Sequence, residues 1–175
     1  MGYTHYFPQQ KECPLDQWAA LKADVLRLYD QRPASFESAG YAHAERLTLC
    51  DGWGEVELTE GAQLFRVELG EEPGTEGEQL FFNGDDREGR GQAHETMMLT
   101  QFHYPEFAFC KTARKPYDWF VVACLLLAAK HCPGVWRIST DGSPEDWLPV
   151  VQWLEANDFG NGRLEAELKQ IKASS

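Results

Sequence analysis

The residues of this chain whose types and spacing point most directly to chemistry lie in FCKTARKPYD, Phe109 to Asp118. Lys111, Arg114 and Lys115 gather three cations in a chain of formal charge −12. Thr112 adds a hydroxyl donor and Asp118 a carboxylate. Pro116 precedes a long apolar run and reads as the first residue of a helix. A helix N-terminus presents unpaired N–H groups and a partial positive charge, and cations placed just before it strengthen an anion site. The block therefore reads as a cradle for a phosphate or carboxylate, built by Lys111, Arg114 and the first helical turn. Asp118 weighs against this, because it can neutralise the helix end or bind Arg114 itself. The competing reading pairs these cations with acidic residues elsewhere or leaves them to solvent.

His5 sits mid-strand between aromatics, where its ring either faces a cleft as a general base or is a partly buried histidine bonded to the backbone. Asp141, in Ser139-Thr140-Asp141-Gly142, closes a strand before a helix, a position that often holds ligands. It is a candidate acid, base or metal ligand, although Asp-Gly is also a common turn. Phe82-Asn83-Gly84 is another strand end with a turn. His94 and His103 lack local metal spacing, and His94-Glu95-Thr96 does not complete a zinc-deaminase signature. There is no EF-hand, P-loop, dinucleotide fingerprint or nucleophile elbow. No metal-ligand set and no cofactor are legible.

The elements that must position these residues follow from periodicity. GYTHYF alternates as a strand, with Tyr3, His5 and Phe7 on one face. Pro14 opens a helix to about Gln31, with Leu15, Trp18, Leu21, Val25 and Leu28 on one stripe. The middle reads as a meander of antiparallel hairpins: 46–50, 55–59, 63–69 (Phe65, Val67 and Leu69 on one face), 79–83, 94–102 and 107–111. GEEPGTEGE (70–78) and GDDREGRGQ (84–92) read as solvated loops. Pro116 to His131 is apolar nearly all round and predicts a central buried helix ended by Pro133-Gly134. A strand follows at 135–140. Ser143-Pro-Glu-Asp146 is a capping-box start. Pro149 conflicts with a regular helix from Ser143, so the first turn is a separate 3₁₀ piece or the helix proper starts near Leu148. A short helix with Leu164, Leu168 and Ile171 on one face closes the chain. The expectation is one α+β domain over residues 1–175, with a largely antiparallel sheet of about six to eight strands packed on a central helix.

Five cysteines, with no C-x-x-C pair, suit a reduced cytoplasmic setting. The opening residues lack a signal-peptide pattern, and the longest apolar run is too short for a bilayer. Charge is uneven. Between Asp51 and Glu95 thirteen acids face three arginines, a net of −10. Between His103 and Arg137 the balance is +3, from five cations and two acids. The acidic segment repels nucleic acid, while the basic one suits a single small anion.

Taken together, GYTHYF, FFNG, FCKTARKPYD and the later STDG resemble an uncharacterised family of small phage, prophage and bacterial proteins. Its pattern is a GYTHY opening, an F-C-K-T-x-R-K-P-Y-D block and a following S-x-D-G. The likeness runs from residue 2 to about 153, with Phe7 where an aromatic such as Trp is expected. It imports no mechanism. It does imply that His5, Asn83, Lys111, Arg114, Lys115, Tyr117, Asp118 and Asp141 match motif positions, as in a site-bearing protein. Two functions follow as expectations. The first is a pocket for a small anion such as a nucleotide. Phosphoester or glycosidic chemistry there would use His5 or Asp141 as base, and Lys111 or Arg114 to stabilise negative charge. The second is an acidic inhibitor that binds a host or defence protein through its 51–95 surface.

Overall fold

The structure is a computed structural model that describes residues 2–33, 36–38, 41–43, 47–73, 76–104, 106 and 108–173, with the side chains of 36–38 and 41–43 outside the description. In chain order the strands are β1 (Thr4–Tyr6), β2 (Phe36–Ser38), β3 (Tyr41–His43), β4 (Phe65–Leu69), β5 (Glu76–Phe82), β6 (Met97–Thr100), β7 (Phe109–Lys111), β8 (Ser139–Thr140) and β9 (Lys172–Ala173). The helices are α1 (Leu15–Gln31), α2 (Asp118–His131), α3 (Leu148–Ala156) and α4 (Leu164–Leu168). The class is α+β.

The strands do not form one sheet. They divide into a four-stranded sheet, ordered β7-β1-β8-β9, a three-stranded sheet, β4-β5-β6, and the separate hairpin β2–β3. Pairing is antiparallel except between β8 and β9. Two expected strands are absent as strands. Cys50 makes isolated bridges to Glu57 and Asn83, so 55–59 is a bridged loop. Arg46, at the start of the expected 46–50 strand, lies outside the described residues, as do Phe107 and the middle of the 70–78 loop.

α2 is the centre of the fold. Its run from Asp118 to Ala128 is buried on every side, so α1, α3 and α4 can all pack on it. Fully burying each large apolar side chain contributes roughly 1.5–3 kcal/mol, which makes this helix the main source of core stabilisation. Gly134, at φ 78°, turns the chain after it ends. α1 buries Trp18, Leu21, Val25 and Leu28 as the periodicity predicts, but Leu15 is exposed. Its contact with the sheet begins at Trp18, whose ring stands edge-on to Phe65 and whose Nε1 donates to Glu78. Lys22 also pairs with Glu78. Beyond that crossing the β4–β5 hairpin projects outward, so Val67 and Leu69 are exposed rather than core. Both readings of Pro149 are realised. Ser143 caps a short 3₁₀ turn, Pro144–Trp147, in a capping box with Asp146, and α3 then starts at Leu148 with Pro149 in its first turn.

Candidate functional site

β1 lies between β7 and β8, and strand alternation turns His5 inward opposite Cys110 and Thr140. After β7 the chain reverses through Ala113 and Arg114, both left-handed at φ 51° and 57°. The N–H groups of Thr112 and Ala113 donate to the carbonyl of Tyr3, which ties the reversal to β1. α2 then starts at Asp118, directed back toward the sheet. Its Oδ1 lies 2.6 Å from His5 Nε2 and accepts a 2.6 Å hydrogen bond from Thr112 Oγ1. His5 Nδ1 is 3.0 Å from Thr140 Oγ1. The rings of Tyr3 and Trp147 meet the imidazole edge-on at centroid distances of 4.9 and 5.1 Å. His5 is fully buried, and Thr112, Thr140 and Asp118 are buried with it.

This arrangement answers why cations gather before α2. The N–H groups of Asp118, Trp119 and Phe120 donate to the carbonyls of Lys115, Pro116 and Tyr117. The first turn is therefore closed on itself, and the anion at the junction is the Asp118 carboxylate. Arg114 lays its guanidinium over the Tyr3 ring, 3.9 Å from the centroid. Lys115 is half-buried, and its N–H donates to the Thr112 carbonyl. Lys111 engages Glu95 through its backbone: its N–H donates to Glu95 Oε2 at 2.7 Å, and its carbonyl accepts from Glu95 N–H.

Asp141 extends the ladder between β1 and β8. Its Oδ2 accepts from Thr4 N–H at 3.1 Å, and its own N–H donates to the Thr4 carbonyl. The next residue must be small: a Cβ on Gly142 would stand 2.8 Å from Tyr3 Cε2. Tyr117 donates its hydroxyl to the Glu95 carbonyl at 2.6 Å, and burial pushes the phenol above the ordinary tyrosine range. Asn83 is on the other sheet. Its Nδ2 donates to the carbonyls of Gly52 and His94, and its Oδ1 accepts from the N–H groups of Gly84 and His94.

The fold thus brings together His5, Thr112 and Asp118, with Arg114 and Asp141 at the margin. Asn83, Lys111 and Tyr117 hold backbone elsewhere. Sequence reasoning missed Tyr3, Thr140, Trp147 and Glu95 as partners. Alternation in GYTHYF does place Tyr3 beside His5, but β8 pairs with β1 from the far end of the chain, and no local pattern announces that. Among the described residues no group of three or more His, Cys, Asp or Glu is placed to hold a metal ion. No helix among them is long and apolar enough to cross a membrane.

A second constellation lies on the three-stranded sheet. Each arginine of the acidic segment is engaged locally. Arg87 and Arg90 bond the buried carboxylate of Asp85, at 2.9 and 2.6 Å, and Arg87 also reaches Glu57 at 3.2 Å. The Arg87 side chain, followed by Arg90, holds the Asp85 carboxyl far below the usual range against the opposing effect of burial. Arg66 lies 3.4 Å from the Phe81 ring centroid and pairs with Glu68. Glu55, Glu71 and Glu76 are exposed with no lysine or arginine in ion-pair range among the described residues. Trp53, 66% exposed, stands edge-on to Phe81 on the same outer face. Between β6 and β7 a cleft of about 320 Å³ opens, lined by Met98, Tyr104, Phe109 and Trp136 with Glu95 and Glu106. Searches of family models, curated proteins and solved structures return no match for this chain.

Proposed function

We propose that the protein is an acidic binding protein that captures a partner with a basic surface through the β4-β5-β6 sheet and its loops. The observation that carries this reading is the unequal use of charge. The arginines of residues 51–95 are spent on Asp85, Glu57, Glu68 and Phe81, while Glu55 near Trp53, Glu71 after β4 and Glu76 opposite Leu69 in the β4–β5 hairpin stay exposed. Exposed carboxylates spread over one sheet, with an exposed aromatic on it, suit rapid electrostatic encounter followed by apolar docking. The likeness to phage and bacterial proteins adds a host or defence factor as the class of partner. The test is capture of partner proteins by wild type and by a Glu55→Gln/Glu71→Gln/Glu76→Gln variant. The partners held by wild type should carry basic faces and be lost by the variant; identical capture by both rejects the reading.

A second reading keeps the small-anion site near Arg114. It is favoured by Tyr3 Oη and Trp147 Nε1, two polar atoms buried beside His5 with only Thr140 and each other near them. Its test is a thermal-shift screen with nucleotides and sugar phosphates. A hit abolished by Arg114→Ala and Lys111→Ala supports it; a flat screen rejects it.

A further inference from the structure

The cleft between β6 and β7 lies where the two main sheets meet edge to edge, since β6 and β7 are each the outermost strand of their sheet. At one end the sheets are joined by the Glu95–Lys111 backbone bond and the Tyr117 hydroxyl. At the other, Gln9 Nε2 donates to the carbonyls of Thr100 and Phe102, and Gln9 Oε1 accepts from Tyr104 N–H. Between these ties the edges stand apart. The Gln101 N–H bond to Glu78 fixes which β6 residues face β5. By the alternation of an antiparallel ladder, Met98 and Thr100 turn their backbone groups away from β5, toward the cleft. The Thr100 carbonyl is taken by Gln9, which leaves the Met98 edge facing the opening.

The side chains around that opening define the chemistry it accepts. Phe109 is 47% exposed and Met98 36%, an unusual apolar surface at the meeting of two strand edges. Among the described residues no lysine or arginine lines the cleft, whereas Glu95 and Glu106 do. Tyr104 donates its hydroxyl to Glu106 Oε2 at 3.1 Å. Its phenol is raised above the ordinary range by burial first, then by that bond, with the charges of Glu68 and Glu71 adding to it. The local field is therefore negative, and aromatic faces at the rim favour a cation. At about 320 Å³ the volume is at the small end for a ligand pocket and suits one long side chain with its neighbours rather than a whole cofactor.

We propose that this cleft docks an extended, arginine-bearing segment of the partner, its guanidinium held among Tyr104, Phe109 and Glu106 and its backbone laid along the Met98 edge of β6. The inference rests on the acidic-binding reading and names the place where that binding becomes specific. Edge-strand addition supplies main-chain hydrogen bonds, and the pocket selects the side chain. Lysine fits less well than arginine, because only the guanidinium both stacks on rings and bonds a carboxylate with a planar fork.

The test uses a fluorescein-labelled peptide of alternating threonine and arginine, followed by anisotropy. Two control peptides replace arginine by citrulline or carry N-methyl groups on alternate backbone nitrogens. The protein variants are Phe109→Ser and Glu106→Gln, both at exposed positions, with Glu55→Gln/Glu71→Gln/Glu76→Gln in parallel; thermal melts check that each is folded. The inference expects each cleft variant and each control peptide to weaken binding about tenfold or more, the scale of one lost hot-spot contact. If the cleft variants bind like wild type while the triple glutamine variant loses the peptide, the cleft is overturned and the acidic-surface reading stands. If wild type ignores the arginine peptide at low salt, both are overturned. If the N-methylated peptide binds unchanged, the edge-strand geometry is overturned.

Discussion

Asp118 Oδ1 and His5 Nε2, from helix α2 and strand β1, lie 2.6 Å apart with neither residue open to solvent. The same oxygen receives the Thr112 hydroxyl, so one carboxylate ties the start of the central helix to the middle of the four-stranded sheet. Breaking a buried charged or hydrogen-bonded pair by removing one partner strands the other, which typically costs about 3–5 kcal/mol.

Asp118→Asn and His5→Ala should therefore each lower the urea midpoint markedly, and the double substitution should cost less than the sum of the two. Denaturant melts in a double-mutant cycle measure the coupling. Variants that unfold at the wild-type midpoint would remove the pair from its structural role.

Asp85 makes the fold acid-sensitive. Its folded carboxyl titrates far below the usual range because Arg87 and Arg90 bond the ionised form. A depressed folded pKa stabilises the protein fully above the unfolded value of about 3.9, and that contribution is lost as pH falls below it toward the folded value. Stability measured across the acid range should fall more steeply for wild type than for Asp85→Asn. Parallel curves would contradict the assignment.

The Sγ atoms of Cys13 and Cys132 are 3.3 Å apart, and all five cysteines are free thiols. Their hydrogen bond lowers the Cys13 pKa and raises that of Cys132. Diamide, taking two electrons and two protons from the pair, should close one disulfide across 119 positions of sequence. In the chain-entropy model such a loop adds about 5 kcal/mol, visible as a raised Tm reversed by reductant. Unchanged thiol titration after treatment would show the pair to be inert.

Tyr117 joins the two sheets through the Glu95 carbonyl. Tyr117→Phe keeps the ring and removes the strong donor, leaving the half-buried Glu95 carbonyl with only the weak Cys110 thiol, so a loss of about 1 kcal/mol is expected. Hydrogen exchange at Glu95, whose N–H bonds Lys111, should quicken. Slow exchange retained in the variant would place the joint elsewhere.

What the sequence disclosed was what local pattern can carry. The run from Trp119 to Ala129 between two prolines announces a buried helix, and GYTHYF announces which residues of β1 turn inward. The pairing of β1 with β7 and β8 brings His5 to Asp118 and Thr140, and both lie more than a hundred residues away. The cations of 109–118 suggested a ligand because a helix start without visible partners invites one. Folding supplies the partners: Asp118 for His5 and Thr112, Tyr3 for Arg114. Val67 and Leu69 alternate like core residues, but α1 crosses the sheet before it reaches them. Alternation specifies a face; what covers that face depends on the other elements.

The most direct measurement is the association rate of the captured partner with wild type and with Glu55→Gln/Glu71→Gln/Glu76→Gln, at about 0.05 M and about 0.3 M salt, a range over which the Debye length shortens roughly twofold. Wild type should associate about tenfold more slowly at the higher salt, and the variant should be slow at both. A rate indifferent to salt and to these carboxylates would contradict binding through the acidic face.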